Sequence, residues 1–171
     1  MKNLNACYKK CAGILDSLNI PYNKYVGDYI SVNHRLRRAM AQTTKTPGYY
    51  ATIYKIEFNP AMLLDSVSDY ELEDTMLHEL LHTCPDCWCH TGKWKRYAEI
   101  VNRAYGYHIS RTGRSAECAA RRDEIEPYKY ELLCKKCGKH VAYRKRKCDL
   151  TIHPELYGHK NCGGDLRCVE I

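Results

Sequence analysis

The spacing of apolar residues predicts an amphipathic helix near the start of the chain. From Asn3 to Leu18, apolar side chains recur every three or four positions, which places them on one face of an α-helix. From Tyr29 to Phe58 the pattern changes to short stretches rich in tyrosine, threonine, valine and isoleucine, which favour strands. We therefore predict two or three strands there, and the clearest begins at Ala51 and ends at Phe58.

Two further helices are predicted in the middle of the chain. Ser68 and Glu71 have the spacing of a capping box, so a helix should begin at this point and continue through residues 78–82. The apolar spacing predicts another helix over 91–105, which Gly106 should end. Helices combined with a short sheet predict an α+β fold.

The last part of the chain has a different composition. Periodicity is lost from Arg111 to Glu126, which we interpret as a linker that ends at Pro127. Residues 128–171 are rich in glycine, lysine and cysteine, and they are too few to fold around a hydrophobic core without a metal or a disulfide. The predicted domains are therefore 1–127 and 128–171.

Composition narrows the class of protein. The 171 residues contain no apolar run of the length that a membrane span needs, and the N-terminus lacks the pattern of a secretory signal. We therefore expect a cytoplasmic protein without a membrane partner, associated with the nucleoid if it is bacterial. In that compartment, eleven cysteines indicate zinc sites before disulfides. The net charge of +7 favours polyanionic partners such as nucleic acid.

An H-E-x-x-H motif lies within the second predicted helix. His78 and His82 are four positions apart, so both imidazoles project from one helical face and can reach one zinc ion. Glu79 lies about 100° round the helix, where it can hold water at the metal without being a ligand. A catalytic zinc needs a third protein ligand, for which His90 is the best candidate and Glu99 the alternative.

The order of these elements resembles the SprT-like family of zinc metallopeptidases, which includes Spartan, the protease of DNA–protein crosslinks. Members have an opening helix, a short sheet, an H-E-x-x-H helix, and then a histidine followed four residues later by an aromatic residue. Here His90 and Trp94 match that last pair. Two features depart from the family pattern, because Gly92 follows the histidine one place late and the gap from His82 to His90 is short. The resemblance covers about residues 3–107, and it extends to the ribbon that many members carry.

The resemblance implies a zincin-like fold and a chemical role for each residue of the motif. His78, His82 and His90 would bind the catalytic zinc, and Glu79 would act as general base on water at the metal. The implied reaction is peptide hydrolysis, and the implied substrates are proteins bound or crosslinked to DNA.

Three cysteines lie between the second and third histidines, at Cys84, Cys87 and Cys89. A thiolate at these positions could bind a second metal or block the catalytic zinc. The competing interpretation is that these are ordinary thiols of a loop.

The C-terminal part contains two half-sites of a structural zinc ribbon. Each has two metal-binding residues separated by two positions and followed by glycine. The predicted ligands are Cys134, Cys137, His159 and Cys162. Alternatives for one of these positions are Cys148, His153 and Cys168. Together with the catalytic site, the sequence predicts two zinc ions per chain.

Two basic clusters suggest a nucleic-acid surface. Arg144 to Lys147 are four consecutive cations beside Tyr143, and Arg35, Arg37 and Arg38 form a second cluster. Such residues contact phosphates, while tyrosines stack on bases, so DNA is a predicted partner, single-stranded or duplex. A solvated hairpin face is the alternative interpretation of the first cluster.

Three functions follow from these patterns. The leading one is a zinc-dependent endopeptidase that acts on DNA-bound or crosslinked proteins. The second is a general intracellular zinc peptidase that is not directed by DNA. The third is a zinc-stabilised nucleic-acid-binding protein without protease activity, in which Glu79 would have no chemical role.

Overall fold

A computed structural model describes residues 2–37, 39–111 and 126–171 of the chain. It has mixed α+β architecture, as predicted, and it divides into two compact units, Met1–Arg121 and Arg122–Ile171. The predicted linker lies outside the described residues except at its two ends, so the boundary after Pro127 stays a prediction. Arg38 of the second basic cluster also lies outside them.

The three predicted helices of the first unit are present. They are α1 (Leu4–Ser17), α2 (Asp69–Leu81) and α3 (Lys93–Tyr105). The capping box at the start of α2 is complete, because the Ser68 hydroxyl accepts from the Glu71 backbone N–H and the Glu71 carboxylate accepts from that of Ser68. Gly106 ends α3 in the left-handed conformation at φ 74°, which favours glycine.

The sheet of the first unit has three strands, β1 (Ile30–Val32), β2 (Ala41–Pro47) and β3 (Thr52–Phe58). β3 is central, with β1 parallel on one side and β2 antiparallel on the other. The turn between β2 and β3 is tight at Gly48, where a Cβ would lie 2.4 Å from the carbonyl oxygen of Ala51. Short 3₁₀ helices precede β1 and follow β3, at Lys24–Tyr29 and Pro60–Leu63.

The hydrophobic core of the first unit surrounds α2. Met76, Leu77 and Leu80 of this helix are fully buried, as are Ile56 and Phe58 of β3. α1, α3 and β2 all contact the same helix. Because α2 packs on several sides, its last turn is held firmly in place, and this turn carries the H-E-x-x-H residues.

The second unit is an antiparallel sheet of β4 (Tyr130–Cys134), β5 (His140–Arg144) and β6 (Leu166–Glu170), with β4 in the centre. A short helix, α4 (Asp149–Ile152), and a 3₁₀ turn at Pro154–Leu156 connect β5 to β6. Its buried hydrophobic residues are Leu132, Cys134 and Leu166. Each helix in the described parts of both units is too short or too polar to span a lipid bilayer.

Candidate metal centres and their surroundings

The structure brings the three predicted histidines of the first site together. The Nε2 atoms of His78 and His90 are 3.0 Å apart, those of His82 and His90 are 3.0 Å apart, and those of His78 and His82 are 3.3 Å apart. His78 lies in the last turn of α2, His82 caps that helix, and His90 comes from the loop before α3. The three form one of the two groups among the described residues that could hold a metal ion.

The spacing of these nitrogens suits zinc. Two nitrogens that share a tetrahedral zinc at about 2.0–2.1 Å lie about 3.3 Å apart, and the observed separations are 3.0–3.3 Å. Three imidazoles also match the ligand type that zinc prefers, and three protein ligands leave a fourth position for water or substrate.

Two of these rings have backbone partners. The Nδ1 of His82 donates a hydrogen bond to the Cys87 carbonyl oxygen at 3.2 Å, and His78 forms a hydrogen bond with the backbone of Ser110. With Nδ1 protonated, the Nε2 of His82 carries the lone pair, which is the form that binds a metal. The Cys87 carbonyl therefore selects the ligand tautomer of His82.

Burial favours neutral rings. Desolvation, together with the nearby His82 and His90, lowers the pKa of His78 to about 3. Desolvation also lowers the pKa of His82 and that of His90. The positive charge of Arg111 lowers the pKa of His90 further. A protonated imidazole cannot bind a metal, so the surroundings keep all three rings in their ligand form at neutral pH.

Glu79 is a buried carboxyl held by a threonine of the sheet. The Thr43 hydroxyl on β2 lies 2.6 Å from Glu79 Oε2 and 3.1 Å from the Glu79 carbonyl oxygen. Burial raises the pKa of Glu79 to about 7, although the hydrogen bonds from Thr43 oppose this shift. A raised pKa makes the carboxylate a stronger proton acceptor, and the contact with Thr43 fixes its position.

Trp94 packs against all three histidines. Its ring centroid is 4.9 Å from that of His78, 5.6 Å from that of His82 and 4.6 Å from that of His90. The indole is fully buried, and its Nε1 has no hydrogen-bond partner among the described residues. The aromatic residue of the sequence pattern therefore serves as a wall that fixes the imidazole rings.

The alternative ligands of this site lie elsewhere. Glu99 is exposed on α3 and forms an ion pair with Lys95 at 3.9 Å, so the structure does not bring it to the three histidines. Cys84 and Cys87 are buried, whereas Cys89 is exposed. Within the described residues these cysteines belong to neither metal-binding group, so the structure offers no second metal site in the loop.

The second group consists of the four predicted ribbon residues. Cys162 Sγ lies 3.4 Å from Cys134 Sγ and 3.6 Å from Cys137 Sγ. The Nδ1 of His159 is 3.2 Å from Cys162 Sγ and 3.3 Å from Cys137 Sγ. Sulfur atoms that share a tetrahedral zinc lie about 3.8 Å apart, whereas a disulfide bond is about 2.05 Å long. The four side chains therefore fit one closed zinc site.

Local backbone geometry supports this arrangement. Gly138 and Gly163 follow the two half-sites with φ of 67° and 66°, values that favour glycine.

The surroundings of Cys134 favour its thiolate. Burial alone would raise the pKa of this thiol. Hydrogen bonds from the Cys137 backbone, from the side chains of Cys162 and Cys137 and from the Lys136 backbone outweigh burial and lower the pKa to about 6. The thiolate that zinc requires is therefore favoured.

The alternative ribbon ligands do not join this group. Cys148, His153 and Cys168 lie outside the four converging side chains, and His153 instead contacts the Glu155 carboxylate at 3.4 Å.

The ribbon also presents a row of aromatic rings. The Tyr143 ring lies 5.3 Å from that of Tyr128 and 4.1 Å from that of His140, and the Lys145 ammonium lies over Tyr128 at 5.2 Å. Tyr143 pairs with Glu131, on the opposite face of the sheet from buried Leu132, and all three rings are exposed. We call Tyr128, Tyr143 and His140 the ring row.

Comparisons with protein-family models, with curated proteins and with solved structures found no match to this chain. The SprT-like resemblance therefore stays a prediction from its motifs.

The sequence pointed to the seven metal-binding candidates and to Glu79, but it did not reveal Thr43, which lies 36 positions before Glu79. A threonine within a strand has no pattern that would reveal this contact.

We predict two bound zinc ions per chain after reconstitution. His82→Ala should reduce this number to one, because two imidazoles alone bind zinc weakly. The matched control is His153→Asn, since His153 is an exposed histidine outside both groups. Metal analysis by mass spectrometry measures the count. A value of two for His82→Ala, or of one for His153→Asn, contradicts the assignment.

The ribbon site should also be sensitive to Gly164. A Cβ at this position would lie 2.8 Å from Cys134 Sγ and 2.4 Å from the Cβ of Lys136, whereas one at Gly158 would meet nothing within 4 Å. Overpacking costs about 1–3 kcal/mol, so Gly164→Ala should weaken zinc binding by roughly tenfold or more. Gly158→Ala should leave it unchanged. Competition with a chromophoric chelator gives both affinities, and equal values would contradict the crowding.

Proposed function

We propose that this protein is a zinc-dependent endopeptidase of SprT-like type that acts on proteins bound or crosslinked to DNA. One observation carries the proposal: the Nε2 atoms of His78, His82 and His90 converge within 3.3 Å at the end of α2, whose last turn also carries the buried carboxyl of Glu79. Three neutral nitrogen ligands with an adjacent base are the arrangement that zinc hydrolases use.

The contrast between the two metal-binding groups supports different roles. The ribbon group contributes four side chains, which complete a tetrahedral site and leave no position for a substrate. The histidine group contributes three, which leaves one position open. We therefore assign catalysis to the first unit and a structural role to the metal of the second.

The residues of the first site suit peptide hydrolysis. Zinc in this site would polarise the scissile carbonyl and make water a better nucleophile near neutral pH. Glu79 accepts the proton of the attacking water and returns it to the amide nitrogen of the leaving peptide. Thr43 orients the carboxylate through its 2.6 Å hydrogen bond to Oε2. Trp94 and the Cys87 carbonyl hold the imidazoles in their ligand orientation.

The ring row supports the DNA-associated part of the proposal. Exposed aromatic rings next to cations bind single-stranded nucleic acid through base stacking and phosphate contacts. Tyr143 and His140 project from one face of the ribbon, and Arg146 and Lys147 follow on the exposed surface. The net charge of +7 is in keeping with an anionic partner.

The burial of Glu79 bears on the third function, a nucleic-acid-binding protein without protease activity. A buried carboxyl costs free energy unless it is well paired, and a purely structural zinc site gains nothing from one beside its ligands. The ring row alone would suit such a protein. A general zinc peptidase would use Glu79 equally, so dependence on DNA separates it from the leading function.

The first prediction tests hydrolysis. Glu79→Gln should retain both zinc ions and lose cleavage of a DNA-binding protein by roughly a thousandfold, because the amide cannot accept the proton. The assay compares parent and variant with and without single-stranded DNA, with product fragments quantified on gels. Cleavage without DNA stimulation would favour the general peptidase. No cleavage by the parent, or full cleavage by the variant, would overturn the assignment.

The second prediction tests the role of Thr43. Thr43→Val keeps the shape of the side chain but removes the hydroxyl, so kcat should fall roughly tenfold with zinc content unchanged. Thr44→Val is the matched control, because Thr44 is the next residue of β2 and its side chain is exposed. The measurement is kcat on a fluorogenic protein substrate. Equal rates for the two variants would remove Thr43 from the site.

The third prediction tests the ring row. Tyr143→Ala should weaken binding of a single-stranded oligonucleotide roughly tenfold, because each stacked base contributes about 1–3 kcal/mol. Tyr157→Ala is the control, since Tyr157 is a comparably exposed tyrosine of the same unit, with 40% exposure against 43%. Fluorescence anisotropy measures the two affinities, and a loss of the same size in both variants would contradict the proposed surface.

A further inference from the structure

Lys45 and Trp88 form a cation–π pair beside His82. Lys45 follows Thr43 by two positions on β2, so both side chains lie on the same face of the sheet. The Lys45 ammonium is 4.3 Å from the centroid of the Trp88 ring, and this ring is 6.2 Å from that of His82. The Trp88 indole therefore contacts both the Lys45 ammonium and the edge of the histidine site.

Lys45 has no carboxylate partner in the parts of the chain that the structure describes. By contrast, Lys93 donates to Asp86 at 2.7 Å and is neutralised. Both Lys45 and Trp88 are exposed. An ammonium over an aromatic face keeps donors available to solvent, while the cation–π contact restricts where the charge can go.

These features favour an anionic group of a peptide as the ligand. The Lys45 ammonium covers one face of the Trp88 ring, so a nucleobase cannot stack there. The Trp88 ring alone separates the Lys45 ammonium from His82. An extended peptide advances roughly 3.3 Å per residue, so we expect a side chain about one to three residues from the cleaved bond to reach this charge. A carboxylate is the peptide group that matches an ammonium in charge and hydrogen bonding.

We propose that Lys45, held in place by Trp88, binds a substrate carboxylate within about three residues of the cleaved bond and so determines specificity. This inference rests on the proposed peptidase function. The carboxylate has two possible sources, an aspartate or glutamate side chain or the free C-terminus of a short substrate. Because Lys45 contacts the substrate away from the reacting atoms, its effect belongs to substrate binding and therefore to KM.

The test uses peptides that the parent protein cleaves, with the bond located by mass spectrometry. Each is made with glutamate, glutamine or lysine near that bond, and each with a free or an amidated C-terminus. The parent should prefer glutamate, or the free C-terminus, by roughly fivefold in KM, the size expected for an exposed charge pair. Lys45→Met should remove this preference, and Lys45→Glu should reverse it towards peptides with lysine at that position.

The matched control is Lys55→Met. Lys55 is an exposed lysine of β3 that pairs with Thr44, so it lies on the other face of the sheet. This variant should retain the parent's preference. If Lys45→Met keeps the preference, or if Lys55→Met loses it equally, the assignment of Lys45 is overturned.

A binding measurement separates this inference from the proposed function. Zinc-loaded Glu79→Gln is titrated with glutamate and glutamine versions of peptides taken from a DNA-binding protein, whether or not the parent cleaves them, and tryptophan fluorescence reports binding, since Trp88 is one of two tryptophans in the chain. A fivefold preference for the carboxylate that depends on Lys45, without hydrolysis by the parent, keeps the carboxylate-binding site at Lys45 and overturns the peptidase. Hydrolysis without such a preference keeps the peptidase and overturns the carboxylate-binding site at Lys45. If Lys45→Met weakens oligonucleotide binding instead, the Lys45–Trp88 pair contacts DNA and the inference fails.

Discussion

Three imidazole nitrogens within 3.3 Å of one another are the constraint on which the first unit depends. At this distance the rings cannot all be protonated, and a metal ion between them would need a lone pair from each. The fold meets this condition with a buried helix end, a carbonyl that binds the far side of His82, and the Trp94 ring against all three histidines. The H-E-x-x-H helix, the loop and α3 are thus coupled through one point in space.

The residues of this site differ in how far they could be predicted from the sequence. The spacing of His78 and His82 places both on one helical face, and the capping box at Ser68 locates the start of the same helix, so local rules were enough. His90 lies in a loop whose course has no periodic signal, so it was named only as the best downstream candidate for a third ligand, and the family resemblance added to that prediction. Thr43 could not be predicted, because its contact with Glu79 depends on how β2 packs against α2.

The ribbon shows the same division. Paired ligands with trailing glycines predicted the group of four, because the turn around a metal requires a positive φ at Gly138 and Gly163. The ring row was not predicted as a surface. It depends on the pairing of β4 with β5, where the register shifts between Leu132 and Leu133 and His140 comes to lie beside Tyr143. Such a shift leaves no mark in the sequence.

The two units differ sharply in their buried cores, which gives scarcity of metal two different consequences. The first unit packs an extensive core around α2, whereas the second buries Leu132, Cys134 and Leu166, and Cys134 also belongs to the candidate metal group. If the first unit holds zinc as proposed, its core should keep it folded without the ion, so that it can bind zinc again on resupply. The second would lose its shape and become open to proteolysis. Starvation for zinc would therefore be reversible for one half and destructive for the other.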